Sequence, residues 1–177
     1  MYNFDERQLQ KLETLRDEGI NPYPAGAEVA ENVWGTISEH GYISLAETEA
    51  SRPITIAGRL RFKNEMGNIG FGRIDISDNI IHTNLQFSIQ KNKVSKEVFQ
   101  AWKRLDLGDW VLITGTFTRT RTGELTLSLN TLDLYSKCLS GMPDKVNGLV
   151  DSETRQRMRY LDLIVNQESK SRFRTRF

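Results

Sequence analysis

At 177 residues, 38% hydrophobic and 27% charged, the chain has the make-up of a globular protein holding one large domain or a small one with appendages. No apolar run approaches membrane-spanning length, and a single cysteine with two histidines leaves no disulfide framework and no cysteine-based metal site. The net charge of +1 hides an asymmetry: residues 1–53 carry 4 basic and 10 acidic side chains (net −6), residues 54–137 carry 12 and 8 (net +4), and residues 138–177 carry 8 and 5 (net +3). A polyanion would be welcome at the middle and the end of the chain, and not at its start. The opening residues Met1–Glu6 have neither the basic start nor the apolar core of a secretory signal, and they are too acidic for a transit peptide. A reducing cytosol is the expected setting, with Cys138 inert.

In chain order, residues 3–18 read as a helix. Asn3 and Glu6 have capping-box spacing, Leu9, Leu12 and Leu15 form an apolar stripe, and Gly19 stops it. Residues 20–24 must be extended, because Pro22 and Pro24 each push the preceding residue out of the helical region. Residues 28–40 form a weaker helix interrupted by Gly35, and residues 45–50 a short third one. This acidic arm, 1–52, is expected to pack against the outside of the domain that follows.

Three apolar runs come next. Ile54–Phe62 alternates toward a turn at residues 65–68, Ile69–Ile76 runs to a turn at residues 77–79, and Ile80–Ile89 carries Leu85, Phe87 and Ile89 at period two. Alternation bounded by Gly, Asn and Asp marks half-buried strands joined by hairpins. The period then changes: Val98, Phe99, Trp102 and Leu105 share one helical face, with Ser95 as N-cap. After a turn at residues 106–109, Trp110–Phe117 and Glu124–Leu134 form a second hairpin across residues 119–123. Three strands, a helix and two strands are the element order of the OB-fold, a five-stranded, partly open Greek-key barrel that binds oligonucleotides on its strand 2–3 face. The sequence therefore predicts a mainly β barrel at 53–137 with flanking helices.

Residues 140–148 read as a linker. Asp151 caps a helix running through Arg155, Arg157, Arg159 and Leu163, and Asn166 begins another that continues to Phe177. The chain stops inside that helix with no cap, as expected of a piece of a longer protein. Residues 138–177 form the third division of the chain.

Short segments carry a resemblance: residues 11–24, Ala57–Arg59, Met66-Gly67 ahead of Phe71, Asp106–Asp109, Arg121–Leu125, Pro143–Lys145 and, longest, Gly148–Ile164. In this order they resemble the N-terminal region of class II lysyl-tRNA synthetases, over nearly the whole chain. The resemblance implies an OB anticodon-binding domain, a linker, and then the threshold of a catalytic domain whose first motif is a dimerisation helix. It implies lysine tRNA as partner, through the anticodon stem-loop, and a full-length homodimer in the cytoplasm. ATP and magnesium are implied for the full enzyme; no catalytic residue, cofactor or metal ligand is assigned to residues 1–177.

An anticodon is single-stranded, so its bases can be splayed, stacked on rings and read on their edges. The resemblance puts the stacking ring at Phe71, where Gly70 and Gly72 are expected to leave room for a flat ligand; the plain alternative is a core phenylalanine. Glu124 matches the family's base-reading acid. A carboxylate only accepts hydrogen bonds, so it selects an edge that offers a donor, such as the imino N–H of uracil. The family's partner glutamine falls on Gln86 by local sequence, or on His82 by ungapped spacing, and Gln86 is the preferred match. Arg59, Arg61, Lys63 and Asn64 at the first strand, and Arg119 and Arg121 on the last turn, are candidate phosphate contacts, which position RNA without specifying it; a solvated surface role is their alternative. An aspartyl- or asparaginyl-type synthetase, or a stand-alone module for single-stranded nucleic acid, are the competing readings.

Overall fold

The computed structural model describes residues 4–26, 52–77, 82–142 and 149–176. The helices expected at residues 28–40 and 45–50, and the turn residues Asp78 and Asn79, lie outside them. The chain divides into two compact units, Met1–Ser140 and Gly141–Phe177.

In the first unit, α1 spans Glu6–Asp17. Its N-cap is Asp5, whose carboxylate accepts from the Arg7 backbone N–H at 2.9 Å. The expected cap, Asn3, also lies outside the described residues. Five strands follow: β1 (Ile54–Met66), β2 (Ile69–Ser77), β3 (His82–Gln90), β4 (Trp110–Arg119) and β5 (Leu125–Ser136). Helix α2 (Lys96–Arg104) comes between β3 and β4, and Ser95 caps it by accepting from the Val98 N–H at 3.4 Å.

The strands close into a barrel in the order β1-β2-β3-β5-β4, with β4 returning to β1. All pairings are antiparallel except β3 with β5, a short parallel contact pairing Gln86 with Thr126 and Ser88 with Ser128. This is the expected mainly β, five-stranded OB barrel. Its interior is filled by alternate residues, among them Ile56, Leu60, Ile74, Phe87, Val111, Ile113, Phe117 and Leu127, all fully buried. Full burial of such a side chain stabilises by about 1.5–3 kcal/mol, so the inward positions fix each strand's register. Helix α2 supplies the plug. The Trp102 ring meets the Phe87 ring edge-on, with centroids 5.5 Å apart.

Gly70 and Gly72 serve that plug. Their missing side chains point inward: a Cβ at Gly70 would collide with the Trp102 indole, and one at Gly72 with the Phe87 ring. The room expected beside Phe71 for a ligand is therefore room inside the barrel, already filled by the protein's own rings.

A buried ion-pair network ties the unit together. Asp109 is fully buried and accepts from the Asp106 and Cys138 backbone N–H groups, each at 2.8 Å. Lys137 donates to Asp109 at 2.9 Å and to Asp106 at 2.6 Å. Lys11 of α1 reaches the other Asp106 oxygen at 2.5 Å, so the helical arm is clamped to the turn between α2 and β4.

In the second unit, the helix expected from Asp151 is broken. Asp151 does cap α3 (Ser152–Arg157), accepting from the Thr154 N–H at 2.7 Å, but the chain leaves helical geometry at Met158 (φ −111°, ψ 54°) before α4 (Arg159–Val165) and α5 (Gln167–Thr175). Across the break lies Asp162, which is fully buried and receives Arg155 and Arg159, each at 2.8 Å, and Asn166 at 2.5 Å. In a continuous helix Arg155 would lie two turns, about 10 Å, from Asp162; the break brings it into contact. Among the described residues no helix is long and apolar enough to cross a membrane.

Candidate nucleic-acid interface

Strand alternation decides which side chains reach the barrel's outer face. On β2, Gly70, Gly72, Ile74 and Ile76 are buried, while Ile69, Phe71, Arg73 and Asp75 point outward. Register then lines up two rows across the sheet. One runs Asn64, Phe71, Ser88, Ser128, Thr116; the other runs Phe62, Arg73, Gln86, Thr126, Thr118. Phe71 is thus an outward, half-buried ring and not part of the core. It borders an open concavity of about 800 Å³ whose lining includes Ser88, Gln90, Arg119, Arg121 and Ser128.

Beside Phe71 lies a closed ring of hydrogen bonds. Arg73 donates through Nη2 to Glu124 Oε1 at 3.1 Å and, at the long limit, to Gln86 Oε1 at 3.4 Å. Gln86 Nε2 donates to Thr126 Oγ1 at 2.9 Å, and Thr126 Oγ1 donates to the Glu124 carbonyl at 3.3 Å. The β4–β5 turn holds Glu124 in place: its N–H donates to Thr120 Oγ1 at 3.1 Å, and Gly123 takes the left-handed backbone (φ 85°) that closes the turn. Glu124 Oε2 has no partner among the described residues. Chemically, the face offers a flat ring for stacking, a carboxylate that can only accept, and an amide that can donate and accept.

The sequence-derived candidates divide. Phe71, Gln86, Glu124 and Asn64 fall in or beside the two rows, and Arg119 and Arg121 at the rim of the concavity. Arg119 also donates to the Gly123 carbonyl at 2.8 Å, which stiffens the turn. His82 opens β3 and pairs through its backbone with Ser77, four residues before Gln86 and so roughly 13 Å along the strand. The remaining three cations have internal work. Arg59 donates to the Gly108 carbonyl at 3.2 Å and stacks on Trp110, and burial lowers its pKa from the ordinary arginine value. Arg61 pairs with Asp75 at 3.1 Å. A register shift between Leu60 and Phe62 places Lys63 opposite Gly72, on the inward side. From there it caps α2, donating to the Lys103 and Leu105 carbonyls at 2.9 and 3.0 Å with its ammonium over the Trp102 ring.

Sequence reasoning missed Arg73 and Thr126. The period-two pattern from Phe71 already put Arg73 on the same face; its pairing with Glu124, 51 residues later, needed the closed barrel. A second cavity, about 360 Å³, lies among α1, α2 and β5 and is lined largely by hydrocarbon from Leu15, Val98, Ala101, Leu132 and Leu134. Glu97, Gln100, Arg104 and Asp133 also line it.

No protein-family model matches the chain. Curated relatives match it almost end to end. It is 38% identical over 168 residues to a lysine–tRNA ligase of Cupriavidus metallidurans, covering 94% of this chain and 32% of that protein. A lysine–tRNA ligase of Bacillus subtilis is 36% identical over 175 residues (97% and 34%), and one of Staphylococcus haemolyticus 39% over 179 (96% and 34%). The chain spans about a third of the length of the curated relatives it matches. Over nearly its whole length, this chain is similar to part of the lysine–tRNA ligases.

Proposed function

We propose that this chain is the N-terminal, anticodon-recognising part of a lysine–tRNA ligase, and that the outer face around Phe71 reads the uridine at the centre of the anticodon. The observation that carries the reading is the juxtaposition, on one exposed face, of an aromatic ring with an acid and an amide held by a hydrogen-bonded ring. A base stacked on Phe71 would present its edge to Glu124 and Gln86. The imino N–H of uracil would donate to the carboxylate, and the Gln86 amide would complete the match. Cytosine carries no proton on that ring nitrogen and would leave an acceptor facing an acceptor. Arg119 and Arg121, which border the concavity, and Asn64, which stands opposite Phe71 in the outer row, are the proposed backbone contacts; Arg59, Arg61 and Lys63 contribute chiefly through the fold.

The parent enzyme would attach lysine to tRNA in the cytoplasm as a homodimer, with ATP and magnesium held outside this chain. The reported relatives are lysine–tRNA ligases, which favours the lysine reading over the aspartate or asparagine one. The test is titration of the 177-residue chain with lysine anticodon hairpins carrying U or C at the central position. The U hairpin should bind about ten- to a hundredfold more tightly, the worth of a buried polar group left unpaired. Equal binding would contradict the reading.

A further inference from the structure

We infer that Arg73 is a specificity-determining positioning residue, fixing the Glu124 carboxylate and the Gln86 amide in the orientation that distinguishes one pyrimidine from another. The inference rests on the anticodon reading above and extends it to a residue that no sequence motif marked. Arg73 stands next but one to Phe71 on β2 and opposite Gln86 across the sheet. Its guanidinium spans the gap between two strands and the β4–β5 turn, donating to Glu124 Oε1 at 3.1 Å and to Gln86 Oε1 at 3.4 Å.

The two contacts divide the functional atoms into held and available ones. With Oε1 of Glu124 engaged by Arg73, Oε2 is the carboxylate oxygen left to accept from a base. With Oε1 of Gln86 directed toward Arg73 and Nε2 bonded to Thr126 Oγ1, the amide cannot turn over without breaking both contacts. Thr126 is almost completely buried and passes its own proton back to the Glu124 carbonyl, so the ring closes on itself. Both bonds leave one nitrogen, Nη2, whose two hydrogens are fixed in the guanidinium plane and so set the two acceptors relative to each other; a freely rotating ammonium holds them less firmly.

Stability alone does not account for the pair. Arg73 and Glu124 side chains are each about half exposed (49% and 48%), the condition in which an ion pair adds little to folding. Substitution of Arg73 should leave the barrel intact, so a change in RNA discrimination can be read without unfolding.

The experiment measures affinity for the U and C hairpins with unsubstituted chain, Arg73→Met, Arg73→Lys and the double variant Arg73→Met/Glu124→Gln, each at several salt concentrations. Arg73→Met should lower the U-over-C preference about five- to tenfold, and Arg73→Lys should restore part of it. Adding Arg73→Met to Glu124→Gln should change the preference by less than about twofold, because the residue then has no carboxylate to orient. The salt slope should stay unchanged. If Arg73→Met weakens both hairpins equally, reduces the salt slope by about one, and Arg73→Lys recovers binding in full, Arg73 is a phosphate contact and the inference is overturned. A normal preference in Arg73→Met overturns it too, while leaving the anticodon reading standing. An unsubstituted chain that shows no preference overturns both.

Discussion

Phe71 and Glu124 should fail in different ways when changed. Phe71→Ala removes a stacking surface that every base can use, so affinity should drop by roughly 1–3 kcal/mol for U and C hairpins alike. Glu124→Gln keeps size and one acceptor but adds donors, so it should cost the U hairpin more than the C hairpin and shrink the preference. Gln86→Ala should resemble Glu124→Gln; a neutral result would return attention to His82. Hairpin affinities for the three variants separate these outcomes. Equal loss for both hairpins in Glu124→Gln would make Glu124 a general positioning group and not a base reader.

At the scale of elements, the closest packing lies where strand meets plug. Gly72→Ala would drive a methyl into the buried Phe87 ring and should destabilise the barrel by about 1–3 kcal/mol, read as a lower urea midpoint. Lys63→Met should cost about 1 kcal/mol or less through loss of its bonds to the last carbonyls of α2, with hairpin affinity unchanged. The strands and α2 were legible in the sequence because their periods differ: Leu85, Phe87 and Ile89 recur every second residue, Val98, Phe99, Trp102 and Leu105 at helical spacing. What escaped reading depended on contacts distant in sequence. The inward face of Gly70 was settled by Trp102, 32 residues on, that of Gly72 by Phe87, 15 residues on, and the inward turn of Lys63 by the register shift beside it. The break at Met158 likewise accompanies the contacts of Asp162, whose burial no local pattern announces. At the candidate site Phe71, Gln86 and Glu124 were found through a family pattern, whereas Arg73 needed the geometry.

For the molecule as a whole, charge sets two expectations. The segment 54–137 is net +4, so hairpin binding should weaken as salt rises through release of counterions from covered phosphates. Acid should loosen the clamp between α1 and the barrel. Burial raises the Asp106 pKa, but hydrogen bonds from Lys11 and Lys137 outweigh it and hold the carboxyl below its ordinary value of 3.8. The folded state therefore releases that proton more readily than the unfolded one. The stabilisation is complete above about pH 4 and is lost as pH falls through the lowered value. Asp106→Asn should flatten this part of the stability profile, which thermal unfolding between pH 2 and 6 would register. If the chemistry of ligation lies in the remainder of the proposed enzyme, the purified chain should show no lysine-dependent pyrophosphate exchange.

In the proposed reading, RNA meets the outer face of β2, β3 and the β4–β5 turn. Backbone amide spectra recorded during titration with the lysine anticodon hairpin test it most directly. The largest shifts should fall on Phe71, Arg73, Gln86, Glu124 and Thr126. Shifts concentrated instead around Leu15, Val98 and Leu132, with the Phe71 face unmoved, would contradict it.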